Sequence, residues 1–134
     1  MKFSLDTAVM IRLLTGKPNE HLAATEEFLD NVRRLKAKVF VTDQVVAEAY
    51  HALQHHFSIS KSDALWGLSQ LLSTGEIVPA GQALRVLSRP GLASAKPGFV
   101  NRLIHADSLH SGSHLVTFEK AAVKLPDVAV LKAK

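Results

Sequence analysis

Five short apolar runs, separated by longer stretches of helical periodicity, constrain this chain more than any other feature. The runs are Lys2–Leu5, Val39–Val41, Glu76–Val78, His114–Val116 and Val128–Leu131. Each is too short for a helix, and β-branched or aromatic residues concentrate in them, so each reads as a short strand. Between the first two, Leu22, Ala23, Phe28, Leu29 and Val32 recur at helical spacing. Asp6-Thr7 leads into an apolar cluster that stops at Gly16-Lys17-Pro18, a helix with its stop signal. Thr42-Asp43 caps a helix whose apolar face is Val45, Val46, Ala49, Ala52 and Leu53. Ser60 to Asp63 is a capping-box variant that opens the next helix, which runs to Leu72. Gln82 to Leu87 and Phe99 to Ser111 read as two more helices, the second ended by Gly112. Gly91 to Pro97 reads as a loop.

Short strands alternating with helices predict an α/β fold. Its central sheet should be mostly parallel, of about four to five short strands, and covered on both faces. The chain has 134 residues and no interior linker or repeat, so one domain spanning 1–134 is expected.

Composition removes several functions. There is no cysteine, which excludes a disulfide framework, a thiolate zinc site and a cysteine nucleophile. Asp6 and Arg12 interrupt the apolar N-terminal stretch, unlike a signal peptide, and no run reaches bilayer-spanning length. The expectation is a cytoplasmic protein with no membrane partner. The net charge of +4 permits a nucleic-acid partner without requiring one. No phosphate-binding glycine loop, dinucleotide fingerprint or Ser-His-Asp order is present.

In open α/β sheets, ligands bind beyond the carboxyl ends of the strands. Asp6 follows the first strand, and Glu119 follows the fourth after Thr117-Phe118. Glu48 lies in the second turn of the helix after the second strand, amid Val45, Val46, Ala47 and Ala49. Taken singly, Asp6 could be an N-cap and Glu119 a first-turn carboxylate favoured by the helix dipole. Glu48 could lie on a solvated helix side. Taken together, the three could converge at one sheet edge. Grouped carboxylates repel, and a hard divalent cation such as Mg²⁺ or Mn²⁺ is the usual remedy. Such ions activate water and stabilise the leaving oxygen of a phosphodiester.

The order of these segments resembles the PIN-domain family, nearest to the VapC-type ribonuclease toxins of toxin–antitoxin pairs. LDTAVMIRLLTG (Leu5–Gly16) resembles the opening strand and first acid. VFVTDQVVAEAYHAL (Val39–Leu53) resembles the second strand and the helix with the second acid, at Glu48. Gly98–Leu131 resembles the closing helix–strand–turn–strand unit, with Gly112 eleven residues after Asn101 and a Thr117-Phe118-Glu119 turn. The resemblance implies a three-layer α/β/α sandwich and metal-dependent endoribonuclease chemistry on RNA. It implies a catalytic set of Asp6, Glu48, Asn101 and Glu119, with Asp6, Glu48 and Glu119 holding Mg²⁺ or Mn²⁺. Thr7, Thr117 and His105 are candidate supporting residues. The implied partners are a cognate antitoxin and a second copy in a homodimer.

Two positions depart from the family pattern. Asn101 stands where the family has its third acid, and Glu119 replaces an Asp. The site then carries three formal negative charges instead of four, and weaker metal binding follows. Asp107 does not substitute, because six residues place it about two-thirds of a turn around from Asn101. A PIN scaffold with impaired or lost catalysis, binding RNA or a protein partner, is therefore the alternative. A receiver-like α/β domain is disfavoured, since Asp6 stands alone at the first strand's end. His51 and His55 share a helix face at i, i+4 but lack the Glu beside the first His that a zincin needs, and line a site mouth or partner surface instead. Trp66, with Leu65, Leu68, Leu71 and Leu72, reads as core or as a contact surface.

Overall fold

A computed structural model of the chain describes residues 1–17 and 19–134. Pro18, read above as part of the first helix's stop, lies outside the described residues. The strands are β1 (Lys2–Ser4), β2 (Lys38–Val41), β3 (Ile77–Pro79), β4 (Leu115–Thr117) and β5 (Val128–Val130). The helices are α1 (Thr7–Thr15), α2 (Asn19–Leu35), α3 (Asp43–His55), α4 (Lys61–Leu72), α5 (Ala83–Leu87) and α6 (Phe99–His110).

Local chemistry sets these boundaries. Asp6 Oδ1 accepts from the Val9 amide at 3.0 Å and starts α1. Gly16, at φ 71°, ends it in the left-handed conformation that a Cβ disfavours. Thr42 Oγ1 accepts from Val45 N at 3.3 Å, and Ser60 Oγ accepts from Asp63 N at 3.1 Å, opening α3 and α4. Each cap satisfies one of the amides that a helix start leaves without a partner. The Gly91–Pro97 loop contains a single 3₁₀ turn, Leu92–Ser94, and a second such turn, Lys120–Lys124, links β4 to β5.

The chain is α/β with short parallel strands. β2 lies between β1 and β3, parallel to both, with Phe3 opposite Val39 and Phe40 opposite Val78. β4 and β5 pair with each other, parallel, as a separate two-stranded sheet. The one central sheet expected from the sequence is thus two sheets. Strands of three or four residues offer few ladder bonds, so their pairing depends on non-local packing that strand patterning does not encode.

The core lies around the first sheet. Val39 and Val41 of β2 are buried together with Met10 of α1, Val46 and Leu53 of α3, and Leu68 of α4. Phe99 opens α6 inside the same core, edge-on to Tyr50 with ring centroids 5.1 Å apart. α1 packs on α3, α3 on α4, and α5 on α6. No helix among the described residues is long and apolar enough to cross a membrane.

Candidate active site

Because the first sheet is parallel, the carboxyl ends of β1, β2 and β3 share one edge. Asp6 follows β1 there, Asp43 follows β2, and Ala80-Gly81 follow β3. At this edge α1 and α3 bring two sequence-distant groups together. The Thr7 hydroxyl donates to Glu48 Oε2 at 2.6 Å, and Gln44 Nε2 donates to Glu48 Oε1 at 3.3 Å. Thr7 directly follows Asp6, so the contact brings Glu48 to the start of α1, next in sequence to Asp6. Both are exposed. Asp6 uses Oδ1 to cap α1, leaving Oδ2 without a hydrogen-bond partner among the described residues.

The other two candidates lie on other elements, Asn101 on α6 and Glu119 after β4. Asn101 is exposed in the first turn of α6. Glu119 Oε1 accepts from Ala121 N at 3.1 Å and starts the 3₁₀ turn. Thr117 Oγ1 accepts from Glu119 N at 3.0 Å and so fixes the turn that presents it. Glu119 lines a cavity of about 330 Å³ with Lys61, Lys96 and Gly98, the residue that precedes α6. No hydrogen bond or ion pair among the described residues joins Asn101 or Glu119 to the other, or to Asp6 and Glu48.

His105 is buried at 7% exposure, and its Nε2 lies 2.7 Å from the Pro126 carbonyl. A carbonyl only accepts, so Nε2 carries the proton and the ring braces α6 against the β4–β5 unit. The His51 and His55 rings stack 6.0 Å apart on the exposed face of α3. Leu65, Leu68 and Leu72 are core, while Trp66 is 67% exposed.

A metal ion implied by the family resemblance has a partial fit. Among the described residues no three His, Asp or Glu side chains stand together as a ready cage. Mg²⁺ needs less than that. It keeps several waters and takes one or two protein carboxylates plus substrate phosphate. Asp6 and Glu48, after β1 and on α3, are the two carboxylates that would hold it.

Sequence reasoning missed a second acidic pair. Asp43 Oδ2 and Oδ1 accept from the Gln82 and Ala83 amides, each at 3.0 Å. Asp107 of α6 faces Asp43. Its withdrawal from water, then hydrogen bonding to Asp43, then the Asp43 charge, push its carboxyl up to about 6, opposed by His110. Asp43 is the acid that accepts the two backbone amides, and Asp107 is the one whose carboxyl is raised. Asp43 lies five residues before Glu48, about 140° around α3, so this pair is separate from the Thr7–Glu48 contact. The position rule that flags Asp6 applies equally to Asp43, which follows β2, but its plain reading as a cap conceals it.

This pair has a pH signature. An ordinary Asp titrates near ~3.9 when unfolded. Asp107 holds its proton more tightly in the fold, so stability declines as pH rises through about 4 to 6 and levels off above. Asp107 is exposed, and solvent screening limits the effect to about 1 kcal/mol. Asp107→Asn should remove that decline and gain about that amount at pH 7.5. Urea midpoints at pH 4.5 and 7.5 check this, and an unchanged pH dependence in the variant would refute it. Comparison of the sequence with protein-family models and with curated proteins returned no match.

Proposed function

We propose that this chain is a PIN-type, Mg²⁺- or Mn²⁺-dependent endoribonuclease acting as the toxin of a toxin–antitoxin pair in the cytoplasm. The observation that carries the reading is the 2.6 Å bond from Thr7 to Glu48. It ties the acid on α3 to Thr7, the residue after Asp6, at the edge where α/β proteins place their ligands. In this reading Asp6 and Glu48 hold the metal, and Glu119, presented by Thr117, completes the acidic set beside Asn101. The metal supplies activated water and stabilisation of the leaving oxygen. Thr7 and Gln44 hold the Glu48 carboxylate in one orientation. The first-sheet arrangement, with helices packed against it, supports the three-layer PIN architecture. Exposed Phe118, Val123 and Leu131, around a cavity of about 670 Å³, support a protein partner, either an antitoxin or a second copy.

A second reading is a PIN scaffold that binds RNA or a protein with little chemistry. Asn101 and the lack of a three-carboxylate group among the described residues favour it. A mixed RNA panel incubated with Mn²⁺ or EDTA separates the two. The nuclease reading expects Mn²⁺-dependent cutting that Glu48→Gln reduces by more than about 100-fold, since even groups that only support a ligand cost about 10–100-fold. Cutting by Asn101→Asp alone, with none by the parent, would decide for the second reading.

A further inference from the structure

Along α6 lies a cavity of about 370 Å³ that collects positive charge. Arg85, Arg89, Arg102, His105 and His110 line it, and no Asp or Glu does. Among the described residues none of the three arginines has a carboxylate at ion-pair distance. Arg102, His105 and Leu109 recur at i, i+3 and i+7, which forms the α6 wall. Asn101 precedes Arg102 by one residue, about 100° around the helix, and none of Asp6, Glu48, Asn101 or Glu119 lines the cavity.

Arg102 is the anchor. It is only 7% exposed, yet its charge is not neutralised. Its Nε donates to the Pro97 carbonyl at 2.7 Å and its Nη2 to the Lys96 carbonyl at 3.3 Å. These bonds fix the plane of the guanidinium and leave Nη1 without a partner among the described residues. Burial first, and the Arg89 charge second, lower its pKa, the mark of a cation held near another with no counter-charge. Arg85 and Arg89 bring two more guanidiniums from α5 and the residues just after it. Like charges gathered this way destabilise a fold unless an anion relieves them.

We propose that this cavity is an oxyanion pocket that takes a phosphate group. The guanidinium fork matches phosphate oxygens in pairs, and a rigid Arg102 flanked by two adaptable arginines suits a tetrahedral, multiply charged anion better than a single carboxylate. The volume admits a phosphate with an attached sugar. The group is either the terminal phosphate of a nucleotide or RNA end, or an internal phosphodiester. The pocket does not depend on the nuclease reading, and it needs no metal.

Isothermal titration in EDTA tests this with four probes: inorganic phosphate, N-acetylglutamate as a carboxylate control, and one short oligoribonucleotide with either a 5′-phosphate or a 5′-hydroxyl. Inorganic phosphate should bind saturably, one per chain. Arg89→Gln and Arg85→Gln should each weaken it about tenfold, the scale of one lost charge-assisted hydrogen bond. Both residues are exposed, so the thermal midpoint should stay near the parent's. Arg34→Gln on α2 should change nothing. Preference for the 5′-phosphorylated oligonucleotide identifies a terminal phosphate, and equal binding identifies the internal diester. No saturable phosphate binding, or an Arg85→Gln/Arg89→Gln double variant that binds as the parent does, overturns the proposal. So does N-acetylglutamate binding as tightly as phosphate.

Discussion

Asp6→Asn should abolish metal-dependent RNA cleavage, by more than about 100-fold, while leaving the fold within a few tenths of a kcal/mol of the parent. Asp6 has two duties that this substitution separates. Its Oδ1 caps α1 through Val9 N, and Asn caps a helix about as well as Asp. Its charge is half of what the Asp6–Glu48 pair offers a divalent cation, and an amide oxygen does not replace it. Asp6→Ala removes both, and should additionally cost about 1 kcal/mol of stability through the lost cap. Cleavage assays in Mn²⁺ with parallel urea unfolding read the two effects. If Asp6→Asn cleaves as the parent does, Asp6 is a cap and nothing more.

Gly81→Ala should be the more damaging change to the fold, at about 3 kcal/mol. A Cβ on Gly81 would sit 2.2 Å from Asp43 Oδ2 and 2.8 Å from Oδ1. Asp43 is too short to swing clear without giving up its bonds from Gln82 N and Ala83 N. Overpacking of this kind typically costs about 1–3 kcal/mol, and each hydrogen bond to a charged group adds about 1.5–3 when lost. The backbone of Gly81 is not in the left-handed region, so the effect belongs to the carboxylate. A double-mutant cycle makes that explicit. In an Asp43→Ala background, Gly81→Ala should cost little, and a cost as large as in the parent would reject the steric account.

Much of the architecture is legible because it is local. Thr42 and Ser60 cap their helices as their sequence positions require, and Gly16 ends α1. The strand segments fall within a residue or two of the apolar runs. What is illegible depends on contacts between distant residues. The split into two sheets turns on which three-residue strands find each other. The Asp43–Asp107 pair joins α3 to α6, while in the sequence Asp43 reads as a cap and Asp107 only as a residue that does not replace Asn101. The arginine cavity combines the region around α5 with α6, where the sequence shows only scattered basic residues. Within the candidate site, the position rule locates Asp6, Thr7 and Glu48 on one edge. It has no means of seeing that Glu119 groups with Lys61 and Lys96 at the start of α6.

The capping bond of Asp6 also bears on how such a chain could drift over generations. A lineage that no longer cut RNA would still need α1 to begin where it does, so at this position only residues that cap, such as Asn or Ser, would be tolerated on stability grounds. Glu48 caps nothing, is exposed, and is tied to the fold only by side-chain bonds from Thr7 and Gln44. Its loss would be nearly free once chemistry had lapsed. Of the two acids, the expendable one is the better witness to a working site.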